Sequence, residues 1–306
     1  MDVSNRAAGT FVDQGFNREL SLVRYDSIAS FLEAAEPFLV LEEARHHLLL
    51  GLANQLLKAG DTGTHSVYLS TVAGPSGIVL AALRIPPQNL VISRCDDADA
   101  MRLLAKDIAG VAGSLPGLNS TGDAEGSMFV AKWLQVHPGV PCRIARKEVI
   151  YELENVTMPA LAPGRFRKTG LGDRGLLVDW LDKFQQEGLG IMDKALVEQT
   201  VDHRIGLPGE LEGTYMWEVE GVPVSMAMAS RPTPHGFTIR GVWTPEEYRR
   251  LGYARSVVAT LCVRILEQGY AACYLYADRA KVASNQIYSD MGFHEVCAAE
   301  HWIFEQ

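Results

Sequence analysis

The sequence predicts an α/β protein built from a duplicated unit. Apolar runs of strand length alternate with segments of helical period along the chain. One order of elements occurs twice, and a Pro/Gly-containing stretch, NVTMPALAPG at 155–164, separates the two copies as a linker. The length of 306 residues agrees, because a chain of that size divides into domains of roughly 150 residues.

In the first half a strand is expected at 19–25, then a helix at 27–35 that Pro37 breaks. A second helix covers about 39–59, with Leu41, Ala44, Leu48, Leu52 and Leu56 at helical spacing. Three strand-like runs follow, at 65–72, 77–83 and 90–93. Asp96, Asp97 and Asp99 open a helix that ends near Ala112, and a helix at 123–135 precedes a strand at 147–153. Residues 1–18 are polar, lack the apolar centre of a signal peptide, and are expected to form a flexible N-terminus.

The second half reads as a strand at 165–168, helices at 173–187 and 194–203, and strands at 213–218 and 222–230. Glu220 and Gly221 between those strands signal a short hairpin turn. RPTPHG makes the next turn, followed by a strand at 237–243 and a helix starting near Gly252. A strand at 272–276, a helix at 283–291 and a strand at 293–304 complete the chain. Each half thus runs strand, two helices, an antiparallel set, then strand, helix, strand, helix, strand.

Composition narrows the function. A net charge of −9 argues against a nucleic-acid backbone as partner, while leaving room for a local basic site for a small anion. Cys95, Cys142, Cys262, Cys273 and Cys297 are scattered, with no CxxC pair and no zinc-site spacing, so reduced thiols and no metal are expected. No run reaches the roughly 18 apolar residues of a membrane span. The expected setting is the cytoplasm.

The segment TPEEYRRLGYARSVVATLCVRILEQG, from Thr244 to Gly269, is the most informative. A strand, a turn and a helix start there without the Ser, Thr, Asp or Asn that caps most helices. Exposed amides and the helix dipole at such a start attract anions. Gly252 and Ala254 keep the approach small, and Arg249, Arg250 and Arg255 surround it with charge suited to phosphates. Ala254, Val257, Val258, Leu261 and Ile265 form the helix face that packs on a sheet. There is no Walker loop and no dinucleotide fingerprint.

About thirty residues on comes ASNQIYSDMGFHEV, in which Ser284 lies four residues before Tyr288, and Tyr288 four before Gly292. Together with GVWTPEEYRRLGYA and CYLYAD, this pattern resembles the GNAT superfamily of acyl-CoA-dependent N-acyltransferases, over most of the second half. The resemblance implies two GNAT-like domains in tandem, each a mixed, largely antiparallel sheet flanked by helices. It implies a catalytic domain at 165–306, and a degenerate copy at 19–154 whose corresponding turn, RCDDADAMRLL, has no glycine and carries three acids.

The resemblance also assigns roles. Acetyl-CoA would be the co-substrate, its pantetheine arm held by the backbone of Val242, Trp243 and Thr244. Its diphosphate would lie on the turn that includes Arg249, Arg250, Leu251, Gly252, Tyr253, Ala254 and Arg255. Asn285 would touch the cofactor arm or hold its helix, and Tyr288 would be the general acid, with a core aromatic as the alternative. Many family members carry Asn seven residues before the tyrosine; Lys281 stands there, to contact a phosphate or face solvent. Candidates for the base are Glu218, His235 and Glu300, with none singled out. His46 and His47 are expected on a polar helix edge, with a pocket wall as the alternative.

The implied function is N-acetyl transfer to a primary amine of a small, amino-acid-like acceptor, with no nucleic-acid or membrane partner; a homodimer is compatible with it. An inactive acyl-CoA-binding sensor or scaffold is the alternative, and a nucleotide or dinucleotide binder a more distant one.

Overall fold

A computed structural model describes residues 10–12, 20–60, 67–189, 194–205 and 211–305. Packing divides the chain into two units, one of 1–150, 277–280 and 295–306, the other of 151–276 and 281–294. The boundary falls ahead of the 155–164 stretch, which forms no helix or strand, and the last residues of the chain pack with the first unit.

The first unit runs β1 (Thr10–Val12), β2 (Ser21–Arg24), α1 (Ile28–Leu39), α2 (Glu43–Ala59), β3 (Tyr68–Gly74), β4 (Gly77–Arg84), β5 (Leu90–Ile92), α3 (Ala98–Ala112), β6 (Gly117–Ser120), α4 (Asp123–Val136) and most of β7 (Cys142–Leu153). Apart from β1, residues 1–18 lie outside the described residues, as do 19 and 65–66 at the ends of expected strands. Strands β1 to β5 pair antiparallel in sequence order, and β5 pairs parallel with β6 through Leu90↔Leu118 and Val91↔Asn119.

Both faces of this sheet are covered, so its central strands are apolar on both sides. Ala81, Leu83 and Val91 point to one core with Phe31, Leu32, Leu39, Leu49 and Leu50 of α1 and α2. Leu80, Ala82, Leu90 and Ile92 point to the other with Met101, Leu104, Ile108, Phe129 and Trp133 of α3 and α4. This two-residue alternation is the pleat of the strand read from its side chains.

Three expectations are corrected here. Pro37 lies inside α1, which continues to Leu39, because the fully buried Leu39 holds the last turn in the core. His46 and His47 are buried, not on a polar edge. His46 Nδ1 meets the Leu39 carbonyl at 2.9 Å and its Nε2 accepts the Arg94 amide at 3.1 Å, so burial holds it neutral, with its pKa lowered to about 4. Strand β6 is the element the sequence reading lacks, and it completes the repeated order in the first half.

The second unit contains β8 (Arg165–Lys168), α5 (Arg174–Leu189), α6 (Lys194–Arg204), β9 (Gly213–Val219), β10 (Val222–Ser230), β11 (Gly236–Trp243), α7 (Tyr253–Glu267), most of β12 (Ala272–Asp278) and α8 (Val282–Asp290). The chain ends with β13 (His294–Phe304), which pairs with β6 through Glu300↔Ser120 and its neighbours. Strands β8 to β11 pair antiparallel in order, and β11 pairs parallel with β12. Glu220 at φ 51° and Gly221 at φ 82° form the two-residue β9–β10 hairpin.

On one face of this sheet, Leu177, Trp180 and Leu181 of α5 and Val197 and Val201 of α6 pack on Met216, Met226, Met228 and Trp243. The other face carries α7 against β9, β10 and β11, with Val257, Val258, Leu261, Cys262 and Ile265 buried. Burying each such side chain contributes about 1.5–3 kcal/mol, and this anchors α7 while its first turn stays at the surface.

Candidate functional site

The site begins where two strands part. Strands β11 and β12 pair through Gly236↔Ala272, Phe237↔Cys273 and Thr238↔Tyr274. Strand β11 then continues to Trp243 with no further partner on β12, so one edge of its backbone faces open space. On its other side β11 meets β10 at Met228↔Arg240 and Met226↔Trp243, with one extra residue on β11. Gly241, at φ 59°, sits in this bulge, where a Cβ would press on the Met228 side chain. A bulge bends its strand and sharpens the local twist. Ser225 fixes the bent end, its hydroxyl 3.2 Å from the Trp243 carbonyl and 2.8 Å from the Thr244 hydroxyl.

A short 3-10 turn, Glu246–Tyr248, leads into Arg249, Arg250, Leu251 and Gly252. Arg250 (φ 64°) and Gly252 (φ 83°) both have left-handed backbone. A Cβ on Gly252 would meet only the Ala162 Cβ, at 3.8 Å, so the glycine is required by its backbone angle more than by crowding. Gly252 supplies no side-chain cap to α7. The amides of Tyr253, Ala254 and Arg255 therefore have no partner within the helix, and the first intrahelical bond runs from the Ser256 amide to the Gly252 carbonyl at 2.9 Å. The Ser256 hydroxyl accepts the Ala162 amide at 2.9 Å and ties the 155–164 segment to this corner.

These features line one cleft of about 670 Å³. Of the residues singled out from sequence, it brings together Val242, Trp243, Thr244, Arg249, Arg250, Gly252, Tyr253, Ala254, Arg255 and Tyr288. Leu251 and Asn285 do not line it; Leu251 points outward, 55% exposed. The Trp243 ring is buried against Trp180, centroids 5.3 Å apart, so only its backbone is on offer. Phe184, Glu187, Tyr248 and Ile287 also line the cleft and escaped the sequence reading.

Four cations in the lining, Arg249, Arg250, Arg255 and Lys281, face one carboxylate, Glu187. They are not equivalent. Arg249 donates to Glu187 at 2.7 and 2.9 Å and to the Thr244 carbonyl at 2.9 Å, which makes it a strut between α5 and the turn. Arg255 reaches Asp290 at 3.3 Å, and its buried Nε has no partner among the described residues. Arg250 is exposed. An uncapped helix start, an orphaned guanidinium nitrogen and excess positive charge suit an oxyanion.

Tyr288 projects from α8 beside Tyr151 and Phe293, ring centroids 6.2 and 5.8 Å away. Burial, with a smaller effect from Cys262, pushes its pKa up to about 12, so the phenol keeps its proton at neutral pH. None of the three base candidates lines the cleft. Glu218 accepts from Arg165 at 2.8 and 2.5 Å and from Arg167 at 2.5 Å, and these bonds hold its carboxyl below the usual range. His235 is exposed in the turn before β11, and Glu300 packs with the first unit, accepting from Trp302 Nε1 at 2.9 Å.

In the first unit the turn into α3 is built differently. Asp97 caps that helix, its carboxylate accepting the amides of Asp99 at 2.8 Å and Ala100 at 3.1 Å. The donors left open in α7 are filled here. Among the described residues no helix is long and apolar enough to cross a membrane, and no cluster of His, Cys, Asp or Glu is arranged to hold a metal.

Residues 177–293 match the model of the acetyltransferase (GNAT) family. A Drosophila protein of known crystal structure shares the fold at a TM-score of 0.65, with 14% identity over 93% of this chain and 98% of its own. A GCN5-related N-acetyltransferase from Sphaerobacter thermophilus follows at 0.56 and 14%, over 82% and 85%. A GNAT-family acetyltransferase from Colwellia psychrerythraea gives 0.53 and 11%, over 93% and 98%. No curated protein sequence matches the chain. The match places a GNAT acetyltransferase-family domain at residues 177–293, and the chain shares its fold with these solved structures.

Proposed function

We propose that the second unit transfers an acetyl group from acetyl-CoA to the primary amine of a small acceptor. The observation that carries this reading is the parting of β11 from β12 after Thr238, in one cleft with the uncapped start of α7 and the phenol of Tyr288.

The amides of 253–255, with Arg250 and Arg255, would hold the diphosphate; Arg249 would brace the turn through Glu187. The unpaired edge of β11 beyond Thr238 would hold the pantetheine arm and donate to the thioester carbonyl. Bound acetyl-CoA supplies an activated acyl carbon. A neutral amine attacks it directly, the C–N bond forms and the C–S bond breaks, so no enzyme nucleophile is used. Tyr288 returns a proton to the leaving sulfur; burial keeps that proton on the phenol at neutral pH. The proton the amine loses passes to solvent, and the Tyr288 phenolate takes one back from solvent, which restores the acid with no net gain or loss of protons. The first unit, with its helix start closed by Asp97, does not bind the donor and acts as a degenerate copy.

The test is thiol release from acetyl-CoA with a panel of amines, for wild type and Tyr288→Phe. Amine-dependent thiol release that falls in the variant without weaker CoA binding supports the reading. CoA binding without turnover on any amine would convert it to an acyl-CoA sensor, and NAD bound more tightly than CoA would overturn it.

A further inference from the structure

Three arginines of the second unit take no part in the cleft: Arg204 at the end of α6, Arg231 just past β10 and Arg240 on β11. Each is only partly exposed. Sheet geometry brings them to one place. Arg240 pairs with Met228, whose side chain lies in the α5–α6 core, so Arg240 is on the face where α6 ends. It stands two residues beyond Thr238, the last β11 residue paired with β12. Continuing that register sets Arg240 opposite Tyr276, on the two arms of the opening. The Thr238 hydroxyl donates to the Arg231 carbonyl at 3.5 Å, which fixes the turn against the same face.

Arg231 has left-handed backbone, φ 55°, a strained conformation for a side chain of this size. Its Nε is buried without a partner, and neither Arg231 nor Arg240 has a carboxylate partner among the described residues. Glu212 lies within electrostatic reach of Arg204 alone of the three. Burial and mutual repulsion lower the pKa of Arg231 and Arg240, and Tyr276 faces Arg231. Buried like charges without counterions disfavour the fold, and a bound oxyanion removes that penalty. Arg240 lies two residues from Val242 in the cleft wall, about 7 Å along the strand. A group held there stands within one small molecule's length of the transferred acyl carbon.

We propose that Arg204, Arg231 and Arg240 seat an anionic group, carboxylate or phosphate, of the acceptor amine. This rests on the acyl-transfer reading of the cleft and narrows its substrate class to amines bearing an acid. Guanidinium forks pair with either oxyanion in two-pronged fashion.

The experiment compares matched amines: amino acids against their decarboxylated amines, and aminoalkyl phosphates against amino alcohols, scored by kcat/KM with acetyl-CoA. Wild type is expected to favour the anionic member of one series at least 10-fold, and the winning series identifies carboxylate or phosphate. Arg231→Gln and Arg240→Gln should lose that preference while CoA affinity stays at the wild-type value; Arg231→Lys should keep part of it. Equal rates for neutral and anionic members, or a preference intact in both glutamine variants, would overturn the proposal. Should wild type fail to bind CoA, the acyl-transfer reading falls by itself. Calorimetric titration of the same anionic amines without donor then decides: saturable binding lost in Arg240→Gln supports the arginine site, and its absence in wild type sinks it.

Discussion

Replacing Gly252 by alanine probes the corner on which the proposed chemistry rests. The glycine holds φ 83°, and an L-residue there costs roughly 1–2 kcal/mol. Sterics add nothing, since the new methyl meets only the Ala162 Cβ at 3.8 Å. That strain must surface in one of two places. If the turn keeps its shape, stability falls, and at roughly 2–4 °C per kcal/mol for a domain of this size Tm drops by about 2–8 °C. If the turn relaxes, its amides swing away, and donor binding must restore the strained form. CoA affinity then falls by about 5- to 30-fold. Thermal unfolding and calorimetric titration with CoA read both quantities. Gly252→Asn is the control, because asparagine tolerates the left-handed region, and it should stay close to wild type. Gly252→Val, β-branched, should lose more CoA affinity than Gly252→Ala. Wild-type Tm together with wild-type CoA affinity in Gly252→Ala would refute the reasoning.

Four further outcomes are expected. Tyr288→Phe should lower kcat by about 10²-fold or more with little change in CoA affinity; because the phenol titrates only at about 12, wild-type kcat should show no alkaline fall from loss of this acid below pH 10. Glu187→Gln breaks the exposed ion pair through which Arg249 braces the turn, so stability should change by less than about 1 kcal/mol while CoA affinity falls; unchanged affinity would show that the brace does not shape the turn. Asp97→Ala removes the cap of α3 and should cost about 1 kcal/mol in urea unfolding without altering CoA affinity. His46 is neutral in the fold and charged when unfolded below its ordinary pKa of 6.5, so it stabilises above pH 6.5 and that contribution drains away as pH falls towards 4; His46→Gln should flatten the stability profile in that window.

Much of the second unit was legible because its signals are local. The strand, turn and helix around Gly252 announce themselves through an apolar run, a cluster of arginines and a glycine where no capping residue stands. The Glu220-Gly221 hairpin shows both left-handed angles its residues suggested. What stayed hidden depends on contacts between distant segments. Phe184 and Glu187 join the cleft only because α5 crosses the end of β11, and nothing near them in sequence marks this. Arg249 looked like a phosphate ligand until its carboxylate partner, 62 positions away, was in view. Strand β6 is four residues, GLNS, too short and polar to stand out, and its pairing with β5 holds it in place. Pro37 and the two buried histidines show packing overriding local preference.

The most direct test is hydrogen–deuterium exchange of the full chain with and without CoA. Marked slowing at the amides of 252–255 upon CoA binding, with the capped start of α3 unaffected, is the expected result. Saturable CoA binding that leaves those amides exchanging at their free rates would contradict it.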